Sequence, residues 1–252
     1  MPHFLMDLMH KYFRLEIEGI ENIPKQGPGI ILPNHSGFAG FDAMILTHEI
    51  FKNRHRIPRV LTHHLWFKSK ATAIPANKMG YVEATTSNGI KELKSNHLIV
   101  LFPEGEQGNF KPSSKAYQLQ DFKRGFVRLS MQTKTTIIPT LILGAEETHI
   151  NLKQFDFGDS MGGLTLPLPF NILPFPVKWK IIFLPPIDLP FDHASAHDQK
   201  WVHKKAEEIR LLMQEHLDQE IKKRPGLYKK TPSILKKLFQ LPQKLKFPKP
   251  EK

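Results

Sequence analysis

The stretch Ile30–Leu46, IILPNHSGFAGFDAMIL, sets a histidine, His35, at the exit of an apolar run and a carboxylate, Asp42, seven positions later beyond a glycine-containing turn. A carboxylate that fixes one imidazole nitrogen in its protonated form leaves the other free to take a proton from a hydroxyl. Gly37 and Gly40 give the intervening loop the freedom to fold back for that contact. The same residues also read as ordinary punctuation of a strand–loop–helix unit. Asp42 would then be an N-cap ahead of Ala43–Leu46, accepting N–H bonds from the first turn, and His35 a satisfied strand-end side chain. The two readings draw on the same oxygens and can share them.

Leu98–Phe110, LIVLFPEGEQGNF, repeats the design, with an apolar run opening into Pro103-Glu104-Gly105. Pro-Glu-Gly is a turn signal, and it also puts the Glu104 carboxylate at a strand exit, as His35 is. Phe122–Glu147 reads as helix, turn and strand. His63 and His64 are adjacent rather than at the i, i+4 spacing of a helical metal pair, and no companion ligand set accompanies them, so no metal site is expected. The absence of cysteine excludes disulfides, thiolate metal sites and cysteine nucleophiles. No serine nucleophile elbow is expected either.

The elements that must position these groups alternate in type. Strands are expected at Arg14–Ile17, Gly29–Leu32, Arg59–Thr62, Leu98–Phe102, Ile137–Leu143 and Lys178–Leu184. Helical patterns fall at Asp42–Phe51, Ser87–Ser95, Lys123–Thr133 and Lys200–Lys223, the last carrying Val202, Ala206, Ile209, Met213, Leu217 and Ile221 as one stripe. Such alternation predicts an α/β fold: a mostly parallel central sheet flanked by helices, with its site beyond the strands' carboxyl ends. Leu164–Pro176, LTLPLPFNILPFP, holds four prolines and reads as an extended apolar loop, packed on the core or lying near an acyl chain. A short amphipathic helix is expected in the first 13 residues.

With 252 residues, 40% hydrophobic and 24% charged, the chain is globular and long enough for a large core. No apolar run reaches the roughly 20 residues that span a bilayer, and the N-terminus does not read as a signal peptide. The net charge of +12 is concentrated at one end: residues 222–252 hold 11 Lys and Arg against one acid, Glu251. A nearly neutral body argues against a nucleic-acid-binding face. The expected organisation is a domain over residues 1–223 and a basic tail over 224–252. Within the tail, Thr231-Pro232 opens an amphipathic helix with Ile234, Leu235, Leu238 and Phe239 on one face. Such a helix suits an anionic membrane surface.

Taken in order, NHSGFAGFD, FPEG, FKRGF and IIPTLILGAEE resemble the glycerolipid acyltransferase superfamily, which includes the 1-acylglycerol-3-phosphate acyltransferases; the similarity runs from about Phe13 to Leu189. The resemblance implies a glycerol-3-phosphate acyltransferase-like α/β fold and an acyl thioester donor, on coenzyme A or acyl carrier protein. It implies a lipid or polyol hydroxyl as acceptor and no cofactor beyond the co-substrate. His35 would be the general base, Asp42 its orienting partner, and Glu104 with Gly105 part of the acceptor block, with direct attack and no acyl-enzyme. Its implied location is cytoplasmic, peripheral on the inner face of a membrane.

Two features depart from the family pattern. Six residues rather than four separate His35 from Asp42, and Glu106-Gln107 stand where phosphate-acceptor members have threonine and arginine. An acidic Glu106 would repel a phosphate, leaving Lys111, Lys115, Lys123 and Arg124 as substitute cations. A catalytically silent relative that binds lipid or acyl chains is the alternative.

Overall fold

The computed structural model describes residues 3–36, 40–156, 165–190 and 198–224, with a short strand at 244–246. Its frame is a seven-stranded sheet. The strands are β1 (Glu16–Glu18), β2 (Gly29–Pro33), β3 (Arg59–Thr62), β4 (Tyr81–Glu83), β5 (Leu98–Leu101), β6 (Ile137–Leu143) and β9 (Lys180–Phe183), in the order β1-β9-β6-β2-β5-β3-β4. Strands β2 to β6 run parallel, whereas β9 lies antiparallel to β6 and carries β1 parallel to itself. The sheet is the mostly parallel one that the alternation predicts, with an antiparallel edge.

Central strands buried on both faces read as continuous apolar runs, and every residue of β2 and β6 is buried. One face packs against α6 (Gly125–Thr133) and the long helix α8 (Gln199–Lys223), which inserts Val202, Ala206, Ile209, Met213 and Leu217. The other face meets α2 (Phe41–Arg54) and α1 (His3–Tyr12), with Phe13 stacked on Trp179 at 4.8 Å. The amphipathic N-terminal helix is thus present.

Several elements differ from expectation, each for a physical reason. Helix α3 (Lys70–Lys78), absent from the expected helices, has Pro75 inside it and is capped at its start by Ser69, whose hydroxyl accepts Thr72 N–H. Thr165–Pro169 is not loop but strand β8, paired antiparallel with β7 (Asn151–Asp156). Proline removes a donor that an edge strand does not need, and β8 is the edge of that second sheet. The third strand there is β10 (Lys244–Lys246), parallel to β7, so part of the basic tail pairs with the body. Arg224, placed in the tail by sequence, caps α8; its Nε donates to Glu147 at 3.2 Å and its guanidinium to the Lys178 carbonyl. The amphipathic helix expected from Thr231 lies outside the described residues.

Candidate active site

Three neighbouring parallel strands deliver the site. Strand β2 lies between β5 and β6, with Ile31 beside Val100 and Pro33 beside Thr140. The residues just beyond their carboxyl ends must therefore converge: His35 after β2, Glu104 after β5, Glu146 after β6. Asn34 fixes the direction of that exit. Fully buried, it accepts from Ile142 N–H at 2.7 Å and donates to Ile142 C=O at 3.1 Å. Its amide thereby extends the β2–β6 pairing beyond Pro33.

His35 Nδ1 stands 2.7 Å from Asp42 Oδ2. The carboxylate also accepts Ser36 N–H at 3.0 Å on Oδ2 and Ala43 N–H at 2.8 Å on Oδ1. Two of these three donors are backbone amides, which have no other role, so Asp42 acts as an acceptor and Nδ1 carries the imidazole proton. That leaves Nε2 as the basic nitrogen. Asp42 is completely buried, whereas the His35 side chain keeps 15% of its surface exposed. Helix α2 begins with Gly40 at φ 72° as its N-cap. Asp42 is thus the second helical residue rather than the cap, which frees Oδ2 for the imidazole. Residues 37–39 of the connecting loop lie outside those described.

Glu104 supports the histidine from behind. Its side chain is buried; Oε1 accepts His35 N–H at 2.9 Å and Oε2 accepts Gln120 N–H at 2.7 Å. The carboxylate shares the rim with His35 as the strand exits predict, but it faces the backbone rather than a substrate. Gly108 permits this packing, since a Cβ there would stand 2.5 Å from Glu104 Cβ. Phe102 covers the imidazole, its ring 4.1 Å away.

Lys111 is also turned inward, away from the solvated face or acceptor role that sequence allows. It is 6% exposed, with Nζ 2.8 Å from Glu146 Oε1 and 3.7 Å from Glu104 Oε2. Burial alone would lower its pKa, but the two carboxylates outweigh burial and raise it. Burial raises the Glu146 carboxyl, opposed by Lys111. Lys123 is exposed and lines the main cavity beside Gly105; Arg124 and Lys115 are exposed away from it.

That cavity measures about 460 Å³ and reaches from His35 along β3 and β4, between Met44, Val60, Leu61, Trp66, Met79 and Tyr81. Burial lifts the Tyr81 phenol to about 12, assisted by the Asp42 charge. Its polar groups include Thr62, His63, Glu106 and Lys123. His63 Nε2 lies 3.5 Å from Glu106 Oε1, and burial lowers the His63 pKa. A second, polar cavity of about 30 Å³ lies beneath Ser36, Asn109 and Asn151, whose buried oxygens find no protein partner there. It suits one or two waters.

Sequence reasoning assigned no role to Asn34, Glu146 or Tyr117. Their signal lay in the strand order, which the sequence does not print. It also overlooked Gly158–Gly162, GDSMG, which does spell the Gly-x-Ser-x-Gly order. Those residues lie outside the described ones, and the elements flanking them are antiparallel β7 and β8. A nucleophile elbow joins a strand to a helix instead. Among the described residues no group of three or more His, Cys, Asp or Glu could hold a metal ion.

The Acyltransferase family model matches residues 14–143, just over half of the chain. An uncharacterised protein of Mycobacterium tuberculosis is 33% identical over 238 residues, covering 86% of this chain and 66% of its own length. The chain thus spans about two thirds of that relative's length. The human DGAT1/2-independent enzyme synthesizing storage lipids is 26% identical over 124 residues, 49% of this chain and 38% of that one. In fold, the chain is similar to the 1-acyl-sn-glycerophosphate acyltransferase of Thermotoga maritima, with a TM-score of 0.54 at 16% identity, over 88% of this chain and 81% of that one.

Proposed function

That the chain belongs to the acyltransferase family is the premise from which we propose its reaction: transfer of a fatty acyl group from an acyl thioester, on coenzyme A or acyl carrier protein, to a glycerolipid hydroxyl. His35 Nε2 takes the proton of the acceptor hydroxyl as its oxygen attacks the thioester carbonyl. Asp42 stabilises the resulting imidazolium through Nδ1–H. The tetrahedral oxyanion then collapses, the C–S bond breaks, and the imidazolium returns its proton to the departing thiolate. Ester and free thiol are the products. The observation that carries this reading is the 2.7 Å His35–Asp42 contact, with His35 lining a mostly apolar cavity of about 460 Å³.

For the acceptor we favour an uncharged, hydroxyl-bearing lipid such as a mono- or diacylglycerol. Glu106 and Lys123 offset each other in the cavity lining, and burial disfavours protonation of His63, so no net positive charge awaits a phosphate. The human relative's name, an enzyme synthesizing storage lipids, points the same way. For location we favour a membrane surface. The α1 helix exposes Phe4, Leu5 and Leu8, and the segment after β8 exposes Phe170, Ile172 and Leu173. Tyr12 Oη joins the two by donating to the Pro174 carbonyl at 2.6 Å. No described helix is long and apolar enough to cross a bilayer, and the basic tail adds attraction to an anionic leaflet.

Thiol release from acyl-CoA, measured with monoacylglycerol, diacylglycerol and lysophosphatidate in turn, tests the reading. Wild type should release thiol and form ester with the neutral acceptors, and His35→Ala should not. Equal rates for the two proteins would overturn the dyad and favour a silent lipid-binding relative. A preference for lysophosphatidate would overturn the acceptor assignment alone. Liposome co-sedimentation of the full chain and a chain ending at Arg224 tests attachment; equal, salt-indifferent binding would remove the tail from it.

A further inference from the structure

The strand order that brings His35 out between β5 and β6 also flanks it with two buried carboxylates, Glu104 and Glu146. Only one described cation reaches both of them: Lys111, from the segment after the short helix at Glu106–Asn109. Glu104 is the group that holds the His35 backbone N–H, at 2.9 Å, and its other oxygen holds Gln120 N–H. Glu146 is tied to the Tyr117 backbone N–H at 2.5 Å. Lys111 Nζ completes its coordination with the Gln118 carbonyl at 3.3 Å. Glu104, Gln120, Gln118, Tyr117 and Glu146 are thus gathered around one ammonium.

We infer that Lys111 is a positioning residue for His35, acting through Glu104: its charge lets two neighbouring buried carboxylates stay ionised, so that Glu104 keeps its grip on the His35 N–H. The physical reason is a charge balance. Two carboxylates and one ammonium leave a single net negative charge in the buried cluster. That residual charge is solvated by the backbone N–H donors of His35, Gln120 and Tyr117. Without Lys111 the cluster would hold two uncompensated charges, and like charges in a buried site cannot both persist. Either a carboxyl protonates or a side chain turns away. Where Glu104 is the group affected, it loses an acceptor oxygen, and the β2 exit loses the bond that orients the imidazole. Proton uptake by Glu146 alone would leave that bond intact, which is the outcome that an unchanged kcat and ring spectrum in Lys111→Met would report.

The inference rests on His35 being the working base, and the test separates the two ideas. Lys111→Met should lower kcat on the order of 100-fold, the cost of about 1 Å of misplacement, with the KM for acyl-CoA little changed. Long-range proton–nitrogen NMR of the His35 ring gives a readout that needs no turnover, assigned by comparison with His35→Ala. Wild type should show a single tautomer with Nδ1 protonated, and Lys111→Met a mixture. The double variant Lys111→Met/Glu146→Gln restores the single net charge, and should recover both the tautomer and most of the kcat. A folded Lys111→Met protein with unchanged kcat and an unchanged ring spectrum, only less stable, would overturn the inference. If that variant does not fold, the double variant decides: an ordered His35 ring supports the inference and a mixed one overturns it. A wild type with no transfer activity but the expected ring spectra would sink the function and leave the positioning role standing.

Discussion

Replacing Asp42 with asparagine keeps the side chain's shape and changes only its hydrogen bonding. Asp42 accepts three N–H groups, from His35 and Ser36 on one oxygen and from Ala43 on the other. An amide has one oxygen and one NH2, so no orientation satisfies all three. With the oxygen toward His35, the NH2 faces the Ala43 N–H, and the reactive tautomer survives without its stabilising charge. With the oxygen toward Ala43, the NH2 donates to Nδ1, the proton moves to Nε2, and the base is gone. Each orientation strands one buried donor, a cost of about 1–3 kcal/mol. The site is fully buried, so solvent cannot offset that cost. Two conflicts of similar size mean both orientations are populated. The expected rate loss is therefore about 10²- to 10⁴-fold, the upper limit being that of an oriented histidine held in the wrong tautomer. Urea unfolding measures the stability term, and thiol release from acyl-CoA, assayed well below the unfolding transition, measures the rate. A folded Asp42→Asn protein within tenfold of wild type would refute the claim that the carboxylate sets the tautomer.

Gly108→Ala should destabilise the fold by about 1–3 kcal/mol, as overpacking does, and lower kcat more than KM, because its methyl group displaces Glu104. Thermal melts and steady-state kinetics check both parts. Asn34→Ala strands the Ile142 N–H and C=O, which should cost about 2–4 kcal/mol by urea titration. Stability should also fall in alkali. Tyr81 has its folded pKa raised to about 12 from the ordinary 10, so its contribution is complete below pH 10 and is lost as pH rises toward 12. The loss amounts to about 3 kcal/mol at most, and Tyr81→Phe should flatten the profile over that window.

The sequence by itself determined the alternation of strands and helices, because period and composition are local properties. Arg59–Thr62 and Ile137–Leu143 form over the spans their apolar runs define, and the α8 stripe packs on the core as its 3.6-residue period requires. It also determined that His35 and Glu104 would stand at strand exits, since a run of buried residues ending in Pro or Pro-Glu-Gly has nowhere else to put them. Prolines misled it in Thr165–Pro169, where an edge position made the missing N–H harmless.

Only the tertiary structure decided what those exits face. Which strands are neighbours is a long-range choice, and it alone puts Glu104, His35 and Glu146 side by side. The same choice turned Lys111 from a candidate surface cation into a buried one, because its partners lie 7 and 35 positions away along the chain and meet only when β5, β2 and β6 assemble. A lysine in a polar loop carries no local mark of burial. The His35–Asp42 contact was half legible: the residue types and glycines allow it, but the extra loop length neither requires nor forbids it. Gly40, the N-cap at positive φ, settles it by starting α2 at Phe41. That start sets Asp42 in the first helical turn, where its carboxylate reaches back to the imidazole and the amide N–H groups of Ser36 and Ala43 hold it there.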